Sequence, residues 1–323
     1  MTATGVRLSW RPIAADDVAT WQELRAAAEA VDATGEYFDA DDLREELADP
    51  GLDAERDTMA AFAGPRMVAY GLVHGLITVR GVYQVQAEGC VHPAYRRTGL
   101  GREVLRRSAQ RAAELHNERH PDLPGELMVY LHDGNAGAAA LATAQGMRPV
   151  RYWYDMQRDL AQPLPPVRMP DGMRLVSYQA PMDEALRQAR NEAFADHWGS
   201  VERDQASWRQ WFTGSRSFRP AVSFALLDGE EIAGLLLSYE FEANNSATGV
   251  REAWIGQVGT RPRWRGRGVA SALLGTALAE FVEAGYQRAA LQVDTGNPTG
   301  ALGLYERAGF VALQRWTTHI RPL

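Results

Sequence analysis

Lysine is absent from the 323-residue sequence, and all 34 basic side chains are arginine. Without lysine the chain cannot form a Schiff base with a carbonyl substrate or supply the lysine of a phosphate-binding P-loop. Ordinary surface positions must then use arginine too, so an isolated arginine is a weak functional signal. The net charge is -7, and we therefore expect no nucleic-acid partner.

Cysteine is nearly absent, since Cys90 is the only one in the sequence. A single cysteine excludes an intramolecular disulfide framework and any cysteine-based metal cluster. Cys90 stands in an apolar strand pattern, which favours an inert core thiol over a nucleophile. We predict a protein without a bound metal.

Long apolar runs are also missing. No stretch approaches the roughly 20 residues that a membrane-spanning helix needs, and the first ten residues, MTATGVRLSW, lack the apolar core of a signal peptide. We expect a cytoplasmic protein with no membrane partner. With 323 residues and 46% hydrophobic content, the chain is long enough to bury two cores.

The most informative segment is a loop rich in arginine and glycine at residues 261–270. It lies between a strand pattern that ends at Thr260 and a helical pattern that begins near Val269. Gly266 and Gly268 allow backbone N–H groups to turn toward a ligand, and the following helix adds the positive end of its dipole. The loop predicts an anion-binding cradle, most simply for a pyrophosphate.

A second copy of this loop occurs in the first half of the chain. Four positions match at one constant offset of 169 residues: Pro93 with Pro262, Arg96 with Arg265, Gly99 with Gly268, and Gly101 with Ala270. One offset that satisfies four motif positions indicates a tandem duplication. We predict two domains, 1–158 and 173–323, joined by a proline-rich linker at 159–172.

The same order of elements is predicted in both halves. In the first, strand and helix patterns fall at 7–11, 15–31, 39–47, 58–62, 67–76, 83–91, 100–112, 127–131, 136–144 and 150–158. In the second, they fall at 174–178, 183–195, 204–211, 223–227, 232–241 and 252–260, followed by a helix, a strand and a helix. This order predicts an α+β fold, with a mixed, mostly antiparallel sheet flanked by helices in each domain.

Two motifs of the second half resemble those of the GCN5-related N-acetyltransferases, the GNAT family. Arg265-x-x-Gly268-x-Ala270, preceded by a strand, is similar to the acyl-CoA-binding signature of that family. Downstream, six residues have the spacing of a second family motif: Asn297, Ala301, Leu304, Tyr305, Gly309 and Phe310. The resemblance covers nearly all of both halves, and the whole chain resembles the tandem-domain acetyltransferases of actinobacteria.

The resemblance implies two tandem GNAT domains and an N-acetyltransferase that moves an acetyl group from acetyl-CoA, its cosubstrate, to the primary amine of a small molecule. It implies a donor site in the second domain at Val258, Gly259, Thr260, Arg265, Gly266, Arg267, Gly268, Val269, Ala270 and Asn297. The matching residues of the first domain are Val91, Arg96, Arg97, Thr98, Gly99 and Gly101. Asn297 would either order the pantetheine arm or cap the following helix. The amine is left open, and an antibiotic, an amino acid, a polyamine or a protein amine would each fit.

Two side chains are expected to carry the chemistry. Tyr305, at the tyrosine position of the family motif, would act as the general acid that protonates the departing thiolate. Glu252, on the strand leading to the loop, would accept the proton of the amine, because strand alternation places it on the face of Trp254 and Val258. His197, after the first helix of the second half, is an alternative base.

The first half lacks the expected acid. Counted back from Gly146, Ala142 occupies the position of the tyrosine, whereas counted from Asn135, Thr143 occupies it. Neither residue has a phenol, so we predict that the first domain is catalytically degenerate and has a structural or ligand-binding role. A function of another class fits the same motifs, namely a non-catalytic acyl-CoA-binding sensor or scaffold.

Overall fold

The computed structural model describes residues 2–3, 6–75, 81–297 and 300–323. The chain divides into two compact units, Met1–Tyr152 with Trp316–Leu323, and Trp153–Arg315. Each unit contains a mostly antiparallel sheet with helices on both faces, so the predicted α+β fold is confirmed. Leu76, the predicted end of one strand, lies outside the described residues.

The first unit begins with a small pair of strands and continues into its main sheet. Its strands are β1 (Thr2–Ala3), β2 (Val6–Arg7), β3 (Ser9–Arg11), β4 (Thr58–Ala63), β5 (Arg66–Gly75), β6 (Tyr83–Val91) and β7 (Gly125–His132). Its helices are α1 (Val18–Asp32), α2 (Ala40–Leu47), α3 (Ala54–Asp57), α4 (Leu100–Arg119) and α5 (Ala136–Ala144). Strands β3 to β6 pair antiparallel in chain order, and β6 pairs parallel with β7. Ala60 and Phe62 pack under α1 and α2, while Ala61 between them packs under α4, as strand alternation requires.

The second unit repeats this arrangement. Its strands are the end of β8 (Arg148–Asp159), then β9 (Met173–Ser177), β10 (Phe224–Asp228), β11 (Glu231–Tyr239), β12 (Glu252–Thr260), β13 (Arg288–Asp294) and the start of β14 (Val311–Pro322). Its helices are α6 (Asp183–Ala193), α7 (Gln205–Trp208), α8 (Glu242–Thr248), α9 (Val269–Glu283) and α10 (Ala301–Arg307). Strands β9 to β12 pair antiparallel in chain order, and β12 pairs parallel with β13. Phe224 and Leu226 pack against α9, and Ala225 and Leu227 pack on the α6 side.

The last strand of each sequence repeat pairs inside the unit that the other repeat builds. Residues 153–159 of β8, at the end of the first repeat, lie antiparallel to β13. Residues 316–322 of β14, at the end of the second repeat, lie antiparallel to β7. The repeats of the sequence and the compact units of the structure therefore differ at their last strands.

Some local elements differ from the sequence-based expectation. The helix predicted at 204–211 is one α-helical turn, α7, that continues as a π-helical turn at Arg209–Thr213. Helix α8 was not predicted, because its sequence EANNSAT has no apolar stripe. The segment predicted as a linker contains no helix or strand after Asp159, and it packs on α9, where a Cβ at Gly275 would lie 3.0 Å from Val167 Cγ2.

The pairing of β14 with β7 can be tested at Trp316. This side chain is buried and stacks on Tyr130, with ring centroids 4.8 Å apart. We expect Trp316→Ala to lower the free energy of unfolding of the first unit by about 3–5 kcal/mol, because it removes a buried aromatic side chain. Hydrogen exchange followed by mass spectrometry should show faster exchange in β7 and unchanged exchange in β13.

The matched control is Leu313→Ala, on the same strand but with the side chain 55% exposed. It should change the free energy of unfolding by less than about 0.5 kcal/mol. Faster hydrogen exchange confined to β13 after Trp316→Ala would contradict the pairing of β14 with β7.

Candidate active site

Strands β12 and β13 pair for only four residues and then separate. Their parallel pairs run from Glu252 to Ile255 of β12, whereas β12 continues to Thr260 and β13 continues to Asp294. The first unit has the same feature, because β6 pairs with β7 only as far as Gln86. Beyond the last pair, backbone groups that face the gap are available to a ligand.

A β-bulge lies at this separation. Gly256 is skipped in the register between β12 and β11 and is therefore the extra residue of the bulge. As a result Ile255 and Val258 both pack on the α9 side, whereas Trp254 packs on the α6 side. The predicted alternation, which placed Trp254 and Val258 on one face with Glu252, is wrong because the bulge reverses the alternation of the strand.

The two arginine-glycine loops hold the same backbone conformation. Gly266 and Gly268 have φ angles of 77° and 85°, and the matching Arg97 and Gly99 have φ angles of 65° and 94°. No side chain caps α9 or α4, the helices that follow, whereas Asn135 caps α5. A Cβ at Gly266 or Gly99 would meet no atom within 4 Å. Each loop is therefore an open cradle whose first-turn N–H groups can bind an anion.

The arginine that the two loops share holds each loop in place. Arg265 donates to the carbonyl of Thr260 at 3.4 Å and pairs with Asp196 at 3.2 Å. Arg96 donates to the carbonyl of the last residue of β6 at 3.0 Å and to both carboxylate oxygens of Asp32 at 2.7 Å. In both units this guanidinium ties the loop to the preceding strand and to the end of the first long helix.

The other arginines of the second loop pair with carboxylates near the surface. Arg261 pairs with Glu192, and Arg263 pairs with Glu231. Arg267 lies 3.4 Å from Asp228. Such exposed pairs contribute little stability and exchange readily. Arg267, with Gly268 and linker residues 168–171, lines a cavity of about 450 Å³ at the start of α9. Among the loop arginines of the described chain, Arg267 is the one that lines this cavity.

Tyr305 lies on α10, and its ring is packed in the core on the α9 side. Burial raises the pKa of Tyr305 to about 12, so the hydroxyl stays protonated at neutral pH. The ring meets Phe310 edge-on, with centroids 6.0 Å apart. A buried phenol that stays protonated at neutral pH can donate a hydrogen bond or a proton to a group beside it.

The end of α10 identifies the counterpart of Tyr305 in the first unit. The N–H of Phe310 donates to the carbonyl of Tyr305 at 3.0 Å, and the N–H of Met147 donates in the same way to Ala142 at 3.0 Å. Ala142, rather than Thr143, is therefore the structural counterpart. The repeat offset shortens mainly because α4 has 20 residues and α9 has 15.

Asn297 lies in the turn between β13 and α10. Its N–H donates to the carbonyl of Asp294 at 3.2 Å, and its carbonyl accepts from Gly300 at 3.3 Å. The N-cap residue of α10 is Gly300, with φ of 73°. Both predicted functions of Asn297 stay predictions.

Glu252 lies at the paired end of β12 and is buried. Its carboxylate pairs with Arg288 at 2.9 Å and accepts a hydrogen bond from Gln157 at 3.1 Å. Burial raises the pKa of Glu252, although Arg288 opposes the shift. Eight residues separate it from Thr260, or roughly 26 Å along an extended strand. The structure does not bring Glu252 and the loop together.

A histidine and a carboxylate meet near the open end of the gap. Nε2 of His197 lies 4.0 Å from Oδ2 of Asp294, whose side chain is completely buried at the end of β13. Nδ1 of His197 lies 2.8 Å from the carbonyl oxygen of Trp198, and the ring of Trp153 is 6.1 Å away by centroids. His197 is predicted from the sequence as an alternative base, whereas Asp294, an acidic residue at the end of an apolar strand, is not predicted.

The remaining observations concern a reactive thiol, a metal site and a membrane-spanning helix. Burial raises the pKa of Cys90 to about 11, which keeps this thiol protonated at neutral pH. Across the described ranges, no group of three or more His, Cys, Asp or Glu side chains is arranged to hold a metal ion. None of the described helices is both long and apolar enough to cross a membrane.

Comparison with known proteins adds sequence relatives. A model described as "Acetyltransferase (GNAT) family" matches residues 183–310. The mycothiol acetyltransferase of Salinispora tropica is 34% identical over 243 residues, which cover 72% of this chain and 71% of that protein. The mycothiol acetyltransferase of Salinispora arenicola is 32% identical over 308 residues, which cover 92% of this chain and 90% of that protein.

Solved structures resemble the chain over nearly its whole length. A GCN5-related N-acetyltransferase from Sphaerobacter thermophilus has a TM-score of 0.76 and 26% identity, with 98% of this chain and 95% of that chain covered. A tandem GNAT protein from the clavulanic acid biosynthesis pathway has a TM-score of 0.72 and 19% identity, with 98% of each chain covered, and it shows likeness of fold alone. Tandem-domain structures are thus among those that the chain resembles.

The strained position of the first loop can be tested at Arg97. A side chain with a left-handed backbone costs about 1–2 kcal/mol, and glycine holds the matching position at 266. We expect Arg97→Gly to raise the free energy of unfolding by about 0.5–1 kcal/mol in urea titrations. The neighbouring Thr98→Gly should lower it, because Thr98 has no strain to relieve and its hydroxyl bonds Tyr95. Equal destabilisation by both changes would contradict this account.

Proposed function

Because the chain belongs to the acetyltransferase (GNAT) family, we propose that it transfers an acetyl group from acetyl-CoA to the primary amine of a small molecule, with the chemistry in the second unit. The observation that carries the proposal is that one unit combines three features. They are an uncapped loop in a left-handed conformation, strands that separate after Ile255, and the buried, protonated phenol of Tyr305.

The loop and the strand end would hold the donor. Backbone N–H groups from Gly266 to Ala270, at the start of α9, would bind the pyrophosphate, and Arg267 would add a positive charge beside the cavity. The separated strand end from Val258 to Thr260 would present its backbone to the thioester carbonyl. Asn297 lies in the turn after β13, where it would order the pantetheine arm. Arg265 would act by keeping the loop in shape.

Tyr305 would protonate the leaving thiolate. Its pKa of about 12 keeps the hydroxyl protonated at neutral pH, so that it can donate to the sulfur anion that develops beside it. Because the pKa of an ordinary thiol is lower than that of this phenol, transfer of the proton to the thiolate is unfavourable on its own, and rapid reprotonation of the phenolate from solvent would draw it forward as the C–S bond breaks. Because Tyr305 does not ionise near neutral pH, the rate of acetyl transfer should not depend on its titration there.

The acceptor would be a small amine. Two relatives that cover most of the chain are named mycothiol acetyltransferases, so a cysteinyl amino sugar is the first acceptor to test, beside glucosamine, tyramine and spermidine. The acetylated products should be identified by mass spectrometry, because a thiol-bearing acceptor would interfere with an assay for released thiol.

The proposed acid can be tested with two matched tyrosines. We expect Tyr305→Phe to lower kcat by about 10²-fold or more and to leave the Kd for CoA within about twofold, because the ring is kept and only the proton is lost. In Tyr286, burial also raises the pKa to about 12, but its hydroxyl bonds Glu240 at 2.8 Å. Tyr286→Phe should therefore reduce stability and change kcat by less than about threefold.

Unchanged kcat in Tyr305→Phe would remove this residue from the mechanism. If the wild-type protein binds CoA but acetylates none of the four amines, the alternative of a non-catalytic acyl-CoA-binding sensor or scaffold gains support. Turnover of any one of them at ordinary efficiency would count against that alternative.

The assignment of chemistry to the second unit can be tested with matched glycines. Gly268→Ala and Gly99→Ala introduce similar backbone strain, since their φ angles are 85° and 94° and neither Cβ would clash. We expect Gly268→Ala to lower kcat/KM for acetyl-CoA by about tenfold, because misplaced N–H groups weaken a charge-assisted contact. Gly99→Ala should alter stability or CoA stoichiometry more than rate. Equal losses of rate would contradict the assignment.

A further inference from the structure

The end of α6 connects the two separated strands on one face of the sheet. The ring of Phe194 packs directly on β12, where a Cβ at Gly259 would lie 2.8 Å from it. The rings of Phe194 and His197 meet edge-on at 5.7 Å, and His197 reaches Asp294 on β13 at 4.0 Å. His197 is therefore positioned over the gap between β12 and β13.

The general acid lies on the opposite face. Val293 packs with Tyr305 on the α9 side, and successive residues of a strand point to opposite faces, so Asp294 belongs to the α6 side. A thioester held between the strands would have the phenol on one side and His197 on the other. An amine that attacks from the α6 side would meet a proton acceptor there.

The first unit keeps the loop and loses all three side chains together. In the second unit the loop arginine pairs with Asp196, and the next residue is His197. In the first unit the loop arginine pairs with Asp32, and the next residue is Ala33. Strands β13 and β7 can be aligned through their parallel partners, since Arg288 pairs with Glu252 and Gly125 pairs with the matching Tyr83. Counted from Arg288 and Gly125, Leu131 occupies the position of Asp294. The tyrosine is replaced by Ala142. The three side chains of the second unit therefore have no counterparts in the first.

Resting on the proposed function, we propose that the acceptor amine enters on the α6 side and gives its proton to Nε2 of His197, with Asp294 stabilising the resulting imidazolium. The carbonyl of Trp198 can only accept a hydrogen bond, so Nδ1 carries the hydrogen and Nε2 of the neutral ring has none. A neutral amine nitrogen about 2.8–3.0 Å from both Nε2 and Oδ2 fits the 4.0 Å separation.

The proton balance of the step is closed. The amine nitrogen bonds to the acyl carbon, the C–S bond breaks, one proton passes from nitrogen to His197, and Tyr305 gives one to the thiolate. The products are the amide and the free thiol. The imidazole side chain is 20% exposed, which allows it to return its proton to water, and water then reprotonates Tyr305.

The same geometry indicates the kind of acceptor. Trp153 and Trp198 lie together beside His197, with ring centroids 6.1 Å apart. Aromatic faces beside a carboxylate and an imidazole suit a primary amine attached to a sugar or another ring with an apolar face. A long flexible polyamine offers no such face.

The experiment compares His197→Gln, Asp294→Asn and Glu252→Gln, with acetyl-CoA as donor and glucosamine as the probe amine. We expect His197→Gln to lower kcat by about 10²-fold with the Kd for CoA within about twofold. Added imidazole should restore part of the activity to His197→Ala. Glu252→Gln should lower kcat less than His197→Gln does.

The pH profile separates a proton acceptor from a packing residue. In the wild type, kcat/KM should rise with pH as His197 loses its proton. A charged group that faces His197 is Asp294 on β13, 4.0 Å from Nε2, and Asp196, which pairs with Arg265, precedes His197 in the chain. Asp294→Asn removes a negative charge that favours the imidazolium, so the rise should move to lower pH while kcat falls by about tenfold.

The matched control is His74→Gln, which alters another histidine near a buried carboxylate, 3.7 Å from Asp49 in the first unit. It should leave transfer unchanged. A kcat within threefold of wild type in His197→Gln, or a larger loss in Glu252→Gln, would overturn the inference while leaving the transferase activity intact. If the wild type binds CoA and acetylates no amine, the proposed function fails, and this inference fails with it.

Discussion

The parallel ladder between β12 and β13 ends after four residue pairs, and the geometry of the site depends on that end. A continued ladder would use the backbone groups from Gly256 to Thr260 and would close the space between the strands. The bulge at Gly256 turns the strand at this point, and the ring of Phe194 occupies the position that a side chain at Gly259 would need. Gly256, Gly259 and the end of the hydrogen-bond ladder after Ile255 thus produce a gap between β12 and β13, and backbone groups are available along its edge.

Charged groups are neutralised at the closed end of the same sheet. Burial would raise the pKa of Glu240, but hydrogen bonds from Arg251, Arg219 and Tyr286 outweigh it and hold that pKa at about 2. Glu252 lies at this end with its own arginine partner. Such buried charges keep the strands together only while each has its partners. Polar groups at the closed end are therefore fixed in pairs, whereas the open end combines a protonated phenol with a histidine and a carboxylate.

The sequence predicted what is encoded locally and missed what depends on pairing. The loops and Tyr305 were found because glycines and a tyrosine at fixed spacing act within one short segment. One inserted residue at Gly256 changes no composition, so the reversed faces of β12 could not be seen. Asp294 and His197 lie on different elements, and only the folded sheet brings them together. Arg265 was expected to bind the ligand, but the sequence could not show that the carboxylate of Asp196 holds its guanidinium.

The exchanged last strands give the first repeat a place in the second sheet. Residues 153–159 come from the first repeat, yet they pair with β13 in the second sheet. In that register Trp153 lies opposite Asp294, and its ring stands beside His197. The first repeat therefore supplies a wall of the proposed acceptor site.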